Sequence, residues 1–228
     1  MDPRLAHRTE AGYPVPVLVW RFDHPRIAIC SGPLGGGIGV RDWLLNATVP
    51  LDYARRDPDV HLTEIAAALD LPGTGAGLLT AVDVTRHAVS VDGGVGATAT
   101  VGLSSPAWAA APDGHFRREL PARHGRPTGF DDYQLVEYRP GTINIAVAVP
   151  VRLGPAALVN AVVTATEAKS QALAELGVAA TGTASDAVCV HCPADGTAEP
   201  YAGPRSTWGA RLARAVHAAV LAGTRNWL

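Results

Sequence analysis

Small hydroxyls, amides and a few charged groups gather in the C-terminal half of this 228-residue chain, at places where a plain core would want none. In GTINIAVAVPV (141–151), Thr142 and Asn144 alternate with Ile143 and Ile145, so they project from the opposite face of a strand. A buried amide there must be bonded, either to backbone or to a ligand, and Asn offers both a donor and an acceptor. The stretch ALVNAVVTATEAKSQALAELGV (157–178) has helical composition. It places Asn160, Thr164, Glu167 and Gln171 on one stripe, which either faces solvent or lines a site. Lys169 lies about 200° around the helix from Glu167, so the two cannot serve one pocket without a bend or an end-on approach. In TGTASDAVCV (181–190), Thr183, Ser185 and Asp186 stand at the entry of an apolar strand. Asp186 could orient a nucleophile, act as a general base, or cap local N–H groups. Thr183 and Ser185 are candidate nucleophiles or amide-binding hydroxyls; no histidine is fixed beside them by spacing, so a triad is unsupported.

Three of these pieces, the T-A-T-E-A-K helix, the G-T-A-S-D-A-V strand entry and the Y-A-G turn (201–203), together resemble the adenosylcobinamide amidohydrolases of cobamide salvage. Upstream the resemblance runs through S-G-P-L-G-G-G (31–37), Asn46, L-L-T-A-V-D-V (78–84) and A-T-V-G-L-S-S-P (99–106). It covers most of residues 26–223 and is most specific in the C-terminal half. The chain departs from the pattern in being longer over 106–140 and in carrying Ser105 where Asn is expected. The resemblance implies hydrolysis of an unactivated amide: adenosylcobinamide loses aminopropanol and becomes adenosylcobyric acid. Such a step needs an activated nucleophile, donors for the oxyanion and an acid for the leaving amine. It makes Glu167 the first candidate for general base and Asp186 the second. Substrate contacts are expected at Gly35, Gly36, Asn46, Thr142, Asn144, Thr164, Lys169, Thr183, Ser185 and Tyr201. No metal ligand is expected and no cofactor is required; the cobalt belongs to the corrinoid substrate. Two other readings stand beside it: a corrinoid-binding module without catalysis, and an autoprocessed N-terminal-nucleophile hydrolase. A faint likeness at GTINI and TGTASDAV to the self-processing aminopeptidase and ornithine acetyltransferase fold is one of fold only.

Composition narrows the class. With 47% apolar residues the chain can bury a core as one domain over 1–228. A net charge of −2, spread along the chain, gives no surface for tracking phosphates, so nucleic acid is not an expected partner. No run of 18 apolar residues exists and MDPRLAHRTE lacks a signal pattern, so no membrane association and a cytoplasmic location are expected. A homo-oligomer is compatible with all of this. Cys30, Cys189 and Cys192 give an odd count, and Cys189-x-x-Cys192 lacks a second ligand pair. They read as small buried hydrophobes. Gly35-Gly36-Gly37 lacks the phosphate-loop signature; it reads as a tight turn or a place of close ligand approach. No histidine falls in a matching motif to ligate cobalt. Trp43, Trp108 and Trp208 read as core or interface aromatics, one of which could stack on the adenosyl group.

The positioning elements follow. PVPVLVWRF (14–22) and RIAICS (26–31) predict two strands joined by an Asp-His-Pro turn, and HLTEIAAALDL (61–71) predicts a helix stopped by Pro72-Gly73. GLLTAVDV, HAVSVD and ATATVGLS predict a β-meander. Residues 106–140, rich in Pro, Arg and Ala, predict an insertion or lid loop. A strand from 141, a helix over 155–176, a strand over 186–192 and a helix near 207–222 complete the chain. Six or seven strands with three main helices indicate an α+β fold. It would be a single layered domain of mixed or antiparallel sheet, with an α-β-β-α sandwich as one form.

Overall fold

Strand β2 (Tyr13–Cys30) organises the molecule, which is known here from a computed structural model describing residues 2–10, 12–111 and 141–228. The expected turn at Asp-His-Pro does not end this strand. Register slips between Arg21 and Arg26, so residues 22–25 bulge out of the ladder and Pro25 is not asked to donate. The first half of β2 pairs with β1 (Arg4–Glu10), the second half with β10 (Ala187–Pro193), and β3 (Gly37–Thr48) lies along both halves.

The full order is β4-β3-β2-β10-β8-β6-β5, with β4 (Gly75–Thr80), β5 (Ala88–Asp92), β6 (Val95–Val101) and β8 (Ile143–Ala148). The β3–β4 and β8–β10 pairs are parallel; the others are antiparallel. The expected meander is therefore corrected. β4 sits at one edge of the sheet, while β5 and β6 form a hairpin at the other, reached through a 3-10 turn (Val84–Arg86) capped by Asp83. Alternation marked each segment as a strand but carried no information about its partner.

Packing explains how such distant edges stay close. Helices α2 (Pro155–Glu175) and α3 (Thr207–Trp227) bury Ala161, Ala165, Leu212 and Val216 against Ala97, Ile143, Ile145 and Val190 of β6, β8 and β10. Helix α1 (Pro58–Ala68) covers Val17, Val19, Trp43 and Leu45 of β2 and β3. Between these lies a third core, in which Leu18, Trp20, Leu44 and Leu78 meet Ala146, Ala187 and Cys189. The sheet is thus folded on itself about β2, giving an α+β fold in four layers: helices, sheet, sheet, helix.

The crossover from β8 through α2 to β10 positions the site. Because β8 and β10 run parallel with Asn144 opposite Ala187, their N-terminal ends lie side by side. Next to them, two-residue strands β7 (Pro106–Ala107) and β9 (Gly182–Thr183) pair with each other. Most of the expected lid, residues 112–140, lies outside the described residues. Among the described residues no helix is long and apolar enough to cross a membrane.

Candidate active site

Asp186 is the hub of the polar cluster at the paired strand ends. Its Oδ1 accepts the Ile143 N–H at 2.9 Å and the Thr183 hydroxyl at 2.5 Å; its Oδ2 accepts Lys169 Nζ at 2.5 Å and the Thr183 N–H at 3.1 Å. Lys169 reaches this carboxylate from the buried flank of α2, and the two side chains are 9% and 11% exposed. A buried ion pair survives desolvation when further hydrogen bonds complete it, as the three from Ile143 and Thr183 do here. The backbone at Gly182 passes directly over the pair. A Cβ there would overlap Asp186 Oδ2 and lie 2.5 Å from Lys169 Nζ, so any larger residue must displace the pair.

Two more hydroxyls adjoin. Ser185 is exposed and its Oγ donates to the Gly141 carbonyl at 3.2 Å, which leaves Thr142 Oγ1, 2.7 Å away and buried, to donate to Ser185. Thr183 differs from both in having its hydroxyl on a carboxylate. The row hydroxyl–carboxylate–ammonium, formed by Thr183, Asp186 and Lys169, has the spacing of a nucleophile, its base and a group that holds the base.

Deeper between the sheets, Asn144 Nδ2 donates to Asn46 Oδ1 at 2.9 Å and to the Leu79 carbonyl at 2.8 Å, and Asn46 Nδ2 donates to Thr100 Oγ1 at 3.0 Å. The bond that the sequence left open between backbone and ligand goes to the opposing sheet layer. Asn46 and Asn144 are 3% and 1% exposed, so in this arrangement they tie β3 and β4 to β6 and β8. Asn144 Oδ1 is buried without a partner among the described residues.

The remaining candidates stand apart. Glu167 is exposed on α2, across the helix from Lys169, and has no hydrogen-bond partner among the described residues. Gln171 bonds Glu175. Thr164 donates to the Ala202 carbonyl at 2.9 Å, pinning the Y-A-G turn to α2 and leaving Tyr201 72% exposed. The loop of Gly35 and Gly36 lies against β4, where the Leu34 carbonyl accepts the Gly77 N–H at 3.0 Å. Gly35 has φ +64° and its missing Cβ makes room for the Gly75 carbonyl, a close approach of two backbones.

The structure therefore brings Thr142, Lys169, Thr183, Ser185 and Asp186 into one cluster. Thr100 and Gly182 fall inside the quoted motifs but were not named as site residues. The signal for Thr100 was Thr98 and Thr100 alternating with Ala97 and Ala99 on an otherwise apolar strand.

Cys189 faces the inter-sheet core and Cys192 the α2 core, so the C-x-x-C pair cannot share a ligand. Cys30 stands opposite Cys189, whose thiol hydrogen-bonds it and lowers its pKa. His191 is buried, with neither ring nitrogen bonded among the described residues; burial holds its pKa well below the ordinary value, and its ring centroid is 4.6 Å from that of Phe22. Among the described residues no three His, Cys, Asp or Glu side chains are grouped to hold a metal ion.

Comparison with known proteins agrees with the motifs. The profile of the family described as adenosylcobinamide amidohydrolase matches residues 2–228. A Methanosarcina mazei protein named adenosylcobinamide amidohydrolase is 30% identical over 205 residues, covering 86% of this chain and 88% of that one. A Halobacterium salinarum protein of the same name is 36% identical over 190 residues, 82% of this chain and 75% of that one. Among solved structures, a Pyrococcus horikoshii protein overlays with a TM-score of 0.47 at 11% identity, over 97% of this chain and 84% of that one.

Proposed function

This chain belongs to the adenosylcobinamide amidohydrolase family, and from that membership we infer that it is the enzyme hydrolysing the aminopropanol amide of adenosylcobinamide to give adenosylcobyric acid. The observation that carries the mechanistic part of this reading is the Thr183 hydroxyl, 2.5 Å from a carboxylate that a buried lysine holds in place.

Asp186 takes the Thr183 proton as Oγ1 forms a bond to the amide carbon, and the carbonyl oxygen becomes an oxyanion. The exposed Ser185 hydroxyl, turning from the Gly141 carbonyl, supplies a donor to that oxygen. The C–N bond then breaks, the nitrogen takes the proton from Asp186, and aminopropanol leaves. Water, giving its proton to the same carboxylate, cleaves the resulting Thr183 ester; carboxylic acid is released and the hydroxyl is restored. Lys169 keeps Asp186 oriented through both halves.

Support for Asp186 over Glu167 as the base is its contact with a candidate nucleophile; Glu167 touches none. Thr183→Ala tests this, with Thr183→Ser as the conservative control. The alanine variant should lose activity at least 100-fold with substrate binding kept, and the serine variant should retain most of it. An alanine variant within 3-fold of wild type would move the attack to water and the base elsewhere. The reading also places the enzyme in the cytoplasm and calls for no metal beyond the cobalt of its substrate; cell fractionation and assay after chelation test those parts.

A further inference from the structure

We propose that Trp108 selects for the adenosyl group of the substrate by stacking its indole on the adenine. The inference rests on the hydrolase reading above and concerns which corrinoids the same site accepts.

Backbone bonds hold Trp108 beside the catalytic cluster. Ala107 pairs with Gly182 and Pro106 with Thr183. The Thr181 N–H donates to the Ala107 carbonyl at 3.1 Å, and the Ala109 N–H to Thr181 Oγ1 at 2.9 Å. Trp108 is thus one residue beyond the partner of Gly182, the residue lying over Lys169 and Asp186. Strand spacing and the Cα–Cα step place its Cα roughly 10 Å from that ion pair.

The indole on this fixed backbone is 52% exposed. Trp20 and Trp43 are buried at 3% and 5%, while Trp208 and Trp227 pack against the core and Trp208 also lies under Arg211 at 4.6 Å. No ring or guanidinium lies on Trp108 among the described residues. An exposed indole beside a reaction centre offers an aromatic face, and base–aromatic stacking is among the stronger uses of one. Adenosylcobinamide has no lower-ligand base, so adenine is its one aromatic ring. The corrin rim, with its acetamide and propionamide groups, asks for hydrogen bonds instead.

The test compares wild type, Trp108→Ala and Trp108→Phe on adenosylcobinamide and on cyanocobinamide, which carries the same amide without adenine. Trp108→Ala should raise KM for adenosylcobinamide roughly 5- to 150-fold, with kcat within 3-fold. Its constants on cyanocobinamide should stay within 2-fold of wild type, and Trp108→Phe should recover most of the loss. An equal KM rise on both substrates, or no rise on either, overturns the proposal. Equilibrium dialysis with adenosylcobyric acid and cyanocobyric acid separates the two layers of inference, since neither is turned over. If wild type hydrolyses no cobinamide, the hydrolase reading fails. Trp108 is then judged by whether the alanine variant loses the preference for the adenosylated acid: loss supports it, and an unchanged preference or no binding at all overturns it.

Discussion

Replacing Lys169 by methionine isolates what the buried ion pair does. Methionine keeps an unbranched stem along α2 and removes the ammonium, with its charge and its N–H donors. Asp186, 11% exposed, would retain three donors, the Ile143 N–H, the Thr183 N–H and the Thr183 hydroxyl, but would lose its counter-ion. Breaking a buried pair on one side costs about 3–5 kcal/mol, and the surviving donors put this case near the lower end, about 3 kcal/mol. For a chain of this size each kcal/mol corresponds to about 2–4 °C in melting temperature, so Lys169→Met should melt about 6–12 °C lower. Lys169→Met combined with Asp186→Asn removes both charges. It should cost clearly less than the sum of the single changes, because neither leaves the other charge stranded. Urea denaturation of the four proteins gives the cycle, and kcat measured well below every melting point shows whether the loop still presents Thr183. A Lys169→Met protein within about 0.5 kcal/mol of wild type, or a double variant equal to the sum of the singles, would refute the idea that this pair holds the site.

Asp186→Asn should lower kcat at least 100-fold with corrinoid binding kept, while Glu167→Gln should stay within about 3-fold of wild type; the reverse pattern in steady-state kinetics would make Glu167 the base. Gly182→Ala puts a methyl onto the ion pair and should cost about 1–3 kcal/mol in urea denaturation and more than 10-fold in kcat; unchanged kinetics would mean the loop relaxes freely. His191 supplies a pH prediction. Its folded pKa lies below the unfolded value near 6.5, so below that pH the unfolded chain binds a proton that the folded one refuses. Stability is full above about pH 6.5 and falls as pH drops, by up to about 1.4 kcal/mol per pH unit from this group. His61, also lowered by burial, contributes with the same sign, so the informative quantity is the difference between wild type and His191→Phe. Urea midpoints from pH 5 to 7.5 should fall less steeply for the variant, and identical slopes would contradict the account.

Local pattern made α2 legible almost to the residue, because Pro155 starts it and small apolar residues recur along its buried flank. The same pattern failed for the edges of the sheet: alternation in 77–84 gives a face, while pairing with β3 instead of β5 is decided by the folding of the whole sheet about β2. At the site, alternation correctly sent Thr142 and Asn144 away from Ile143 and Ile145. It could not show that Asn144 meets Asn46, 98 residues earlier, across two layers. Helix geometry correctly put Glu167 and Lys169 on different flanks. Which flank turns inward was not readable, since a lysine is buried only where a partner waits, and that partner, Asp186, arrives 17 residues later.

The most direct measurement is incubation of the purified protein with adenosylcobinamide, following corrinoid products and the released amine by mass spectrometry. The account predicts adenosylcobyric acid and aminopropanol in equal amounts, with a transient mass on the peptide containing Thr183. Binding of the corrinoid with no release of either product would contradict it.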